Sequence, residues 1–286
     1  MENNAFLKTH KNPWKKVADL YDEFETDCLF SLSKNYICLE DKTEIDKYNK
    51  GVIEAAENNP RKDEILGNKM VTNIPAEPWG GNPFKANLII LSLNPGYVPE
   101  VNEKLAKLLQ SNAEIRKAII NYKKQTLLFD TDSFLPEDDK VLPNCQISCK
   151  DAINMLGDWY WHKMFRQLRE DVRRENDEID ENEFYKKVAL IQYFGYSSQT
   201  AQRTLPHIPA QDFTKKMIHY IASERKADVR FLIMRSKKEW NTLLGDNFFK
   251  KYDDIIIINK NVRCQYITPG NLGETNYEKI KDIINK

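Results

Sequence analysis

"LIILSLNPGY", residues 88–97, decides the fold class of this chain and raises its first chemical question. Leu88 to Leu93 is a short aliphatic run of the length and character of a strand buried on both faces. The run stops at Asn94-Pro95-Gly96, an amide followed by two residues that turn the backbone. Two readings fit such an ending. It is an ordinary strand-to-helix turn, or it is the floor of an active site in which Asn94 holds something in position.

Similar runs recur along the chain. "KKVALIQYF" (186–194), "VRFLIM" (229–234), "DIIIIN" (254–259) and "VRCQYIT" (262–268) read as further strands. Helical patterns separate them. Leu105, Leu108, Leu109, Ile115, Ile119 and Tyr122 share roughly one face, and "DAINMLGDWYWHKMFRQLRE" (151–170) follows the acidic loop "FDTDSFLPEDDK". "FTKKMIHYIAS" and "EWNTLLG" are shorter helices, and a last helix opens at Thr275, where Thr275 and Glu278 fit a capping box. Strands alternating with helices predict a layered α/β fold with a mainly parallel central sheet. Residues 1–73 read as a helical, acidic N-terminal segment packing on a main domain over 74–286, which carries a helical insertion at 100–150.

Composition narrows the classes. The 286 residues can bury a large core. No apolar stretch approaches the roughly 18 residues of a membrane span, and "MENNAFLKTHKNPWKK" has no apolar signal region. A soluble, cytoplasmic protein is expected, without a membrane partner and as a monomer. Five cysteines with one close pair, Cys145 and Cys149 in "CQISC", lack the second pair that a tetrahedral metal set needs. Reduced thiols and no metal or other cofactor are the expectation. Formal net charge is zero, but Asp19 to Glu64 holds thirteen acidic residues against six basic, and Arg225 to Arg263 ten basic against five acidic. The basic third permits contact with a polyanion, although a solvated face is the commoner cause of such runs.

In open α/β sheets, ligands bind beyond the carboxyl ends of the strands. Three segments with turn-forming residues lie there: Asn94-Pro95-Gly96-Tyr97, Tyr193-Phe194-Gly195-Tyr196 and Thr268-Pro269-Gly270-Asn271. Each alone reads more readily as a turn or as aromatic packing than as chemistry; their convergence makes a pocket candidate. Asn94 can align a water through its amide oxygen. Gly96 admits a close approach to the backbone. Tyr97, Tyr193, Phe194 and Tyr196 offer faces on which a heterocycle can stack. The loops bearing Pro95, Gly96, Pro269 and Gly270 offer backbone donors to a phosphate. Arg235, Lys237 and Lys238, after the third strand, are the choice for phosphate contacts. His207 in "LPHIPAQ" is a weaker candidate, and His162 reads as packing or surface.

"ILSLNPGY" and "YITPGNLGETNYEKIKDII" resemble the two motifs of the uracil-DNA glycosylase superfamily, in its mismatch-specific and single-strand-selective branches, with "IQYFGYSSQ" standing where that family stacks its flipped base. The resemblance covers the chain patchily from about Ile74 to the C-terminus. It implies a three-layer α/β/α fold with helical additions and a monofunctional DNA glycosylase whose partner is DNA, single- or double-stranded. It further implies that Asn94 orients the attacking water, that Thr268 and Asn271 sit where the leaving base is stabilised, and that no metal is needed. The family's His or Asn is Thr268 here and its Ser is Gly270, which fits a modified or damaged base bulkier than uracil. Two other readings stay open: a catalytically inactive DNA- or nucleotide-binding module of the same fold, and a nucleoside or nucleotide hydrolase.

Overall fold

The structure is a computed structural model that describes residues 5–21, 36–96, 99, 113–131, 163–200, 206–252, 255–258 and 266–286. The aliphatic runs form a five-stranded sheet: β1 (Trp79–Gly80), β2 (Leu88–Ser92), β3 (Val188–Gln192), β4 (Arg230–Ile233) and β5 (Ile255–Ile257), in the order β1-β3-β2-β4-β5. β2 pairs with β4 and β4 with β5 in parallel. Asn87 and Leu88 donate to the Lys187 carbonyl before β2 and β3, and Phe194 donates to the Leu93 carbonyl after them, so these strands also run together. β1 is antiparallel to β3. The sheet is therefore mixed: the proline- and glycine-rich lead-in, expected to be irregular, contributes a two-residue edge strand. The strand expected over 262–268 falls mostly outside the described residues.

The α/β class follows from burial. All five residues of β2 and of β3 are buried, as strands covered on both faces require. Each fully buried aliphatic side chain there is worth about 1.5–3 kcal/mol.

The chain divides into two compact units. One holds the sheet and comprises residues 79–92, 129–191 and 219–286. In it Trp240 is fully buried and donates its Nε1–H to the Ser92 carbonyl at 3.0 Å. The helix Glu274–Asn285 buries Ile280, Ile283 and Ile284, and Arg166–Glu175 buries Leu168 and Val172. Arg225 fastens the lead-in by donating to the carbonyls of Phe84 and Ala86, both at 2.8 Å.

The other unit comprises residues 1–78, 93–128 and 192–218, so the N-terminal segment shares a unit with the chain that leaves β2 and β3. Its core is aromatic. Trp14 lies 5.4 Å from Tyr196, Tyr21 stacks on Tyr36 at 5.8 Å, and Phe6 meets Phe213 edge-on at 5.3 Å. Asn12 donates to the Leu127 carbonyl at 2.7 Å, tying the helix Ala113–Leu128 to this core.

The capping box is a correction. The last helix starts at Glu274 behind Gly273, whose φ is +79°, and Thr275 lies inside it. The short helix Pro269–Leu272 has already used the turn: the Gly273 N–H returns to the Pro269 carbonyl at 2.7 Å, and the new helix begins one residue before the threonine.

Candidate functional site

Asn94 stands two positions past the end of β2, after buried Leu93, and is half-buried, ahead of buried Pro95 and exposed Gly96. Its Nδ2 donates to Ser198 Oγ at 2.8 Å and to the Pro95 carbonyl at 3.1 Å. Ser198 gives its own proton to the Thr200 carbonyl at 2.8 Å. Both neighbours of the Asn94 amide therefore face it with lone pairs, which fixes the amide with its NH2 group inward. Its Oδ1 accepts no hydrogen bond among the described residues and is left to take one from a small ligand such as water.

The clamp is held by the backbone. The Ser198 N–H donates to the Pro95 carbonyl at 3.3 Å, and Gly96 forms a parallel bridge with Ser198. Val71 bridges Ser197, and Thr200 donates to the Gly67 carbonyl at 3.0 Å and through its hydroxyl to Asn68 at 2.6 Å. Pro95 thus works as an acceptor, which corrects its place in a donor loop, since proline has no N–H to give. A Cβ built on Gly96 meets nothing within 4 Å, so there is open space in front of this backbone.

The aromatic segment is mainly packing. Phe194 is fully buried, Tyr196 is 1 % exposed and Tyr193 is 7 % exposed. Tyr196 donates its hydroxyl to Asp41 Oδ2 at 2.7 Å and accepts the Cys38 N–H at 3.1 Å. The Asp41 Oδ1 accepts the Ala210 N–H at 2.8 Å, at the start of the helix Ala210–Glu224. Burial raises the Asp41 carboxyl to about 6 against the opposing pull of those two hydrogen bonds, and it drives the Tyr196 hydroxyl upward. Phe194 and Tyr196 are therefore corrected from base-stacking faces to core residues: Phe194 is fully buried, and the partners of Tyr196, Trp14 and Asp41, come from a distant stretch of chain. Tyr193 gives its carbonyl to Gln211 Nε2 at 3.0 Å and sets its ring 5.3 Å from Phe194. Tyr97 lies outside the described residues, as do His162 and the "CQISC" pair. Cys38 is a buried free thiol that donates to Glu40 at 3.0 Å.

In the sheet-bearing unit, Thr268 is the N-cap of Pro269–Leu272, its Oγ accepting the Asn271 N–H at 3.3 Å. The Asn271 side chain donates to the Tyr266 carbonyl at 2.7 Å. Pro269 accepts from Gly273, and Gly270 is exposed with open space around its Cα. Arg235, Lys237 and Lys238 are all at the surface after β4, with Ser236 between them in the left-handed region at φ 59°. His207 is exposed and pairs with Asp212 at 3.3 Å.

Sequence reading did not pick out Ser198 or Asp41. Ser198 carried a signal, a hydroxyl four residues beyond an aromatic strand end in "YFGYSS"; Asp41 was hidden within an acidic run. Thr268 also lines a cavity whose other walls, Lys163, Arg166 and Gln167 among them, had no motif to mark them. No described helix is long and apolar enough to cross a membrane. Set against protein-family models, curated proteins and solved structures, the chain finds no match.

Proposed function

We propose that this protein is a DNA glycosylase of the uracil-DNA glycosylase type, a three-layer α/β/α enzyme that removes a flipped-out modified or damaged base and leaves an abasic site. The observation that carries the reading is the Asn94 clamp: two acceptors hold the amide NH2, Oδ1 accepts no hydrogen bond among the described residues, and the Gly96 backbone two positions on has open space before it. A fixed acceptor of this kind lowers the entropic cost of aligning a water for attack. The water oxygen bonds to C1′ of the sugar, and the C1′–N bond breaks with its electron pair leaving on the base. The water's proton ends on the departing base. The sugar passes through an oxocarbenium-like state, as in glycoside hydrolysis, and extrusion of the base from the stack costs a few kcal/mol.

The test is release of base from oligonucleotides carrying uracil, hypoxanthine, xanthine or 5-substituted cytosine, scored as alkali-labile sites. Activity on one substrate that disappears in Asn94→Ala supports the reading; a panel without abasic sites removes it.

A second reading, a module of this fold that binds DNA or a nucleotide without breaking a bond, is favoured by the second motif. The Asn271 amide is engaged by the Tyr266 carbonyl and a Thr268 lone pair by a backbone N–H, which weakens the groups available to a departing base. Salt-sensitive binding that leaves every base in place is its signature. A nucleoside hydrolase would instead act on free nucleosides and be indifferent to DNA.

A further inference from the structure

Ser198 is 3 % exposed, so its hydroxyl proton has to go to a protein acceptor. Two acceptors compete for it. One is the Thr200 carbonyl, which takes it at 2.8 Å. The other is Asn94 Oδ1, which would replace Nδ2 beside the Ser198 oxygen if the amide turned over. The first arrangement leaves Oδ1 unspent and the second consumes it. The state of the Asn94 amide is therefore decided by where the Thr200 carbonyl stands.

Thr200 is held in place by two residues of the N-terminal segment, within the same compact unit. Its N–H donates to the Gly67 carbonyl at 3.0 Å, and its hydroxyl to Asn68 Oδ1 at 2.6 Å. Both anchors sit at the end of the helix Lys62–Leu66, whose C-cap is Gly67. Asn68 is itself oriented. Its N–H donates to the Ile65 carbonyl at 3.0 Å and its Nδ2 to the Glu64 carbonyl at 3.4 Å, so Oδ1 is the end of the amide left for Thr200. Gly67 is packed against the same stretch: a Cβ there would stand 3.3 Å from Gln199 Oε1 and 3.4 Å from Thr200 Oγ1. Hydrogen bonds thus run in series from Asn68 to Thr200, from Thr200 to Ser198 and from Ser198 to Asn94.

We propose that Asn68 and Thr200 are positioning residues for Asn94: by fixing where the Ser198 proton goes, they hold the amide with its NH2 inward and keep Oδ1 free for a donor. The N-terminal segment thereby has a task beyond packing. The positioning follows from the hydrogen bonds alone; that the donor is a water attacking a glycosidic bond rests on the glycosylase reading. When the series is cut, the Pro95 carbonyl still holds the NH2, so the amide loosens rather than leaving its place.

The experiment follows the Asn94 side-chain NH2 by NMR in protein carrying isotopically labelled asparagine. Its signal is assigned by its disappearance in Asn94→Ala, and its hydrogen exchange with water is measured. Ser198→Ala removes the acceptor itself and sets the ceiling, an acceleration of up to about 12-fold for one net hydrogen bond. Thr200→Val removes the hydroxyl at nearly constant shape, and Asn68→Ala removes the acceptor of that hydroxyl. Each should speed exchange at least about twofold, and the double variant should go no further than either alone, as one series requires. Thr200→Ser should restore the wild-type rate. Tyr48→Phe is the control: it removes a hydrogen bond of 3.2 Å to the Asn68 carbonyl, leaves the series intact and should not change exchange. If Asn68→Ala fails to fold, Thr200→Val and Thr200→Ser carry the comparison. The proposal is overturned if Thr200→Val exchanges as the wild type does, if Tyr48→Phe speeds exchange as much, if the two single effects add, or if the wild-type NH2 exchanges as freely as an exposed asparagine. Base release is scored in parallel. Release that Thr200→Val slows by the same factor, at an unchanged half-saturating substrate concentration, supports both readings. Its absence on every substrate removes the glycosylase reading, while the exchange rates decide the positioning by themselves. Release unchanged in variants with faster exchange keeps the positioning and takes Asn94 out of the chemistry.

Discussion

Asn94 and Asn271 are the same side chain in nearly the same sequence setting, each beside a Pro-Gly pair, yet the structure puts them to different uses. The Asn94 amide is fixed by Ser198 and Pro95 so that its oxygen faces away from its holders. Asn271 follows its Pro-Gly pair inside a one-turn helix, where its N–H meets Thr268 and its NH2 returns to the Tyr266 carbonyl. The first loop takes its restraint from a different stretch of chain, Ser198, 104 positions away; the second is restrained by residues within five positions of itself. A loop braced from outside leaves a functional group to spare, whereas a loop braced from within spends its polar groups on its own turn.

The largest effect should separate the two amides. Under the glycosylase reading Asn94→Ala should lower single-turnover base release by about 100-fold, the order expected when a reacting water is misplaced, and Asn271→Ala should change it far less. Equal losses in both would break the contrast. Next comes the buried brace behind the first loop. Asp41 has a folded-state value of about 6 against an ordinary 3.8. Between those values the folded protein binds this proton more tightly than the unfolded chain, so the stability owed to this group falls as pH rises from about 4 to 6 and stays lower above. Asp41→Asn should remove that fall, about 2–3 kcal/mol by the free energy of the shift. Urea unfolding of both proteins at pH 4 and pH 7.5 reads it out, and parallel curves would show that Asp41 carries no such burden.

Gly195→Ala should cost about 1–3 kcal/mol, the usual penalty of overpacking. Its Cβ would stand 2.8 and 2.9 Å from two ring carbons of Trp14 and 3.1 Å from Pro78. Those ring carbons are absent from phenylalanine, so Trp14→Phe in the same chain should make the alanine cheaper than additivity predicts. Strict additivity in thermal or urea unfolding would contradict the contact. The smallest effect belongs to the second loop: Thr268→Ala should lower stability by about 1 kcal/mol, as loss of an N-cap does, with Thr268→Ser close to wild type. A loss of base release in Thr268→Ala at unchanged stability would make this threonine a chemical group and erase the difference between the loops.

The fold class was legible because strand and helix signals are local. The runs at 88–93, 186–194, 229–234 and 254–259 became β2, β3, β4 and β5 within a few residues. The edge strand Trp79–Gly80 was not legible, because a two-residue strand has no period and exists only through its pairing with Leu190 and Ile191. The candidate site was half legible. Asn94 could be singled out by the Pro-Gly pair after it, but its orientation could not, since that depends on where Ser198 sends its proton. Phe194 and Tyr196 looked like exposed aromatic faces, and the decision to bury Tyr196 was made by Trp14 and Asp41, more than 150 positions away.

By itself, then, the sequence determined the alternation of strands and helices and the turns that end the strands, because apolar spacing and backbone-restricting residues act over a few positions. Tertiary structure alone decided which polar groups are consumed and which are left over. A hydrogen-bonding group is spent or spared according to the partner that folding brings to it: the Asn271 amide is taken by a carbonyl five positions away, whereas Asn94 is oriented by Ser198, a contact 104 positions off that no residue pattern announces.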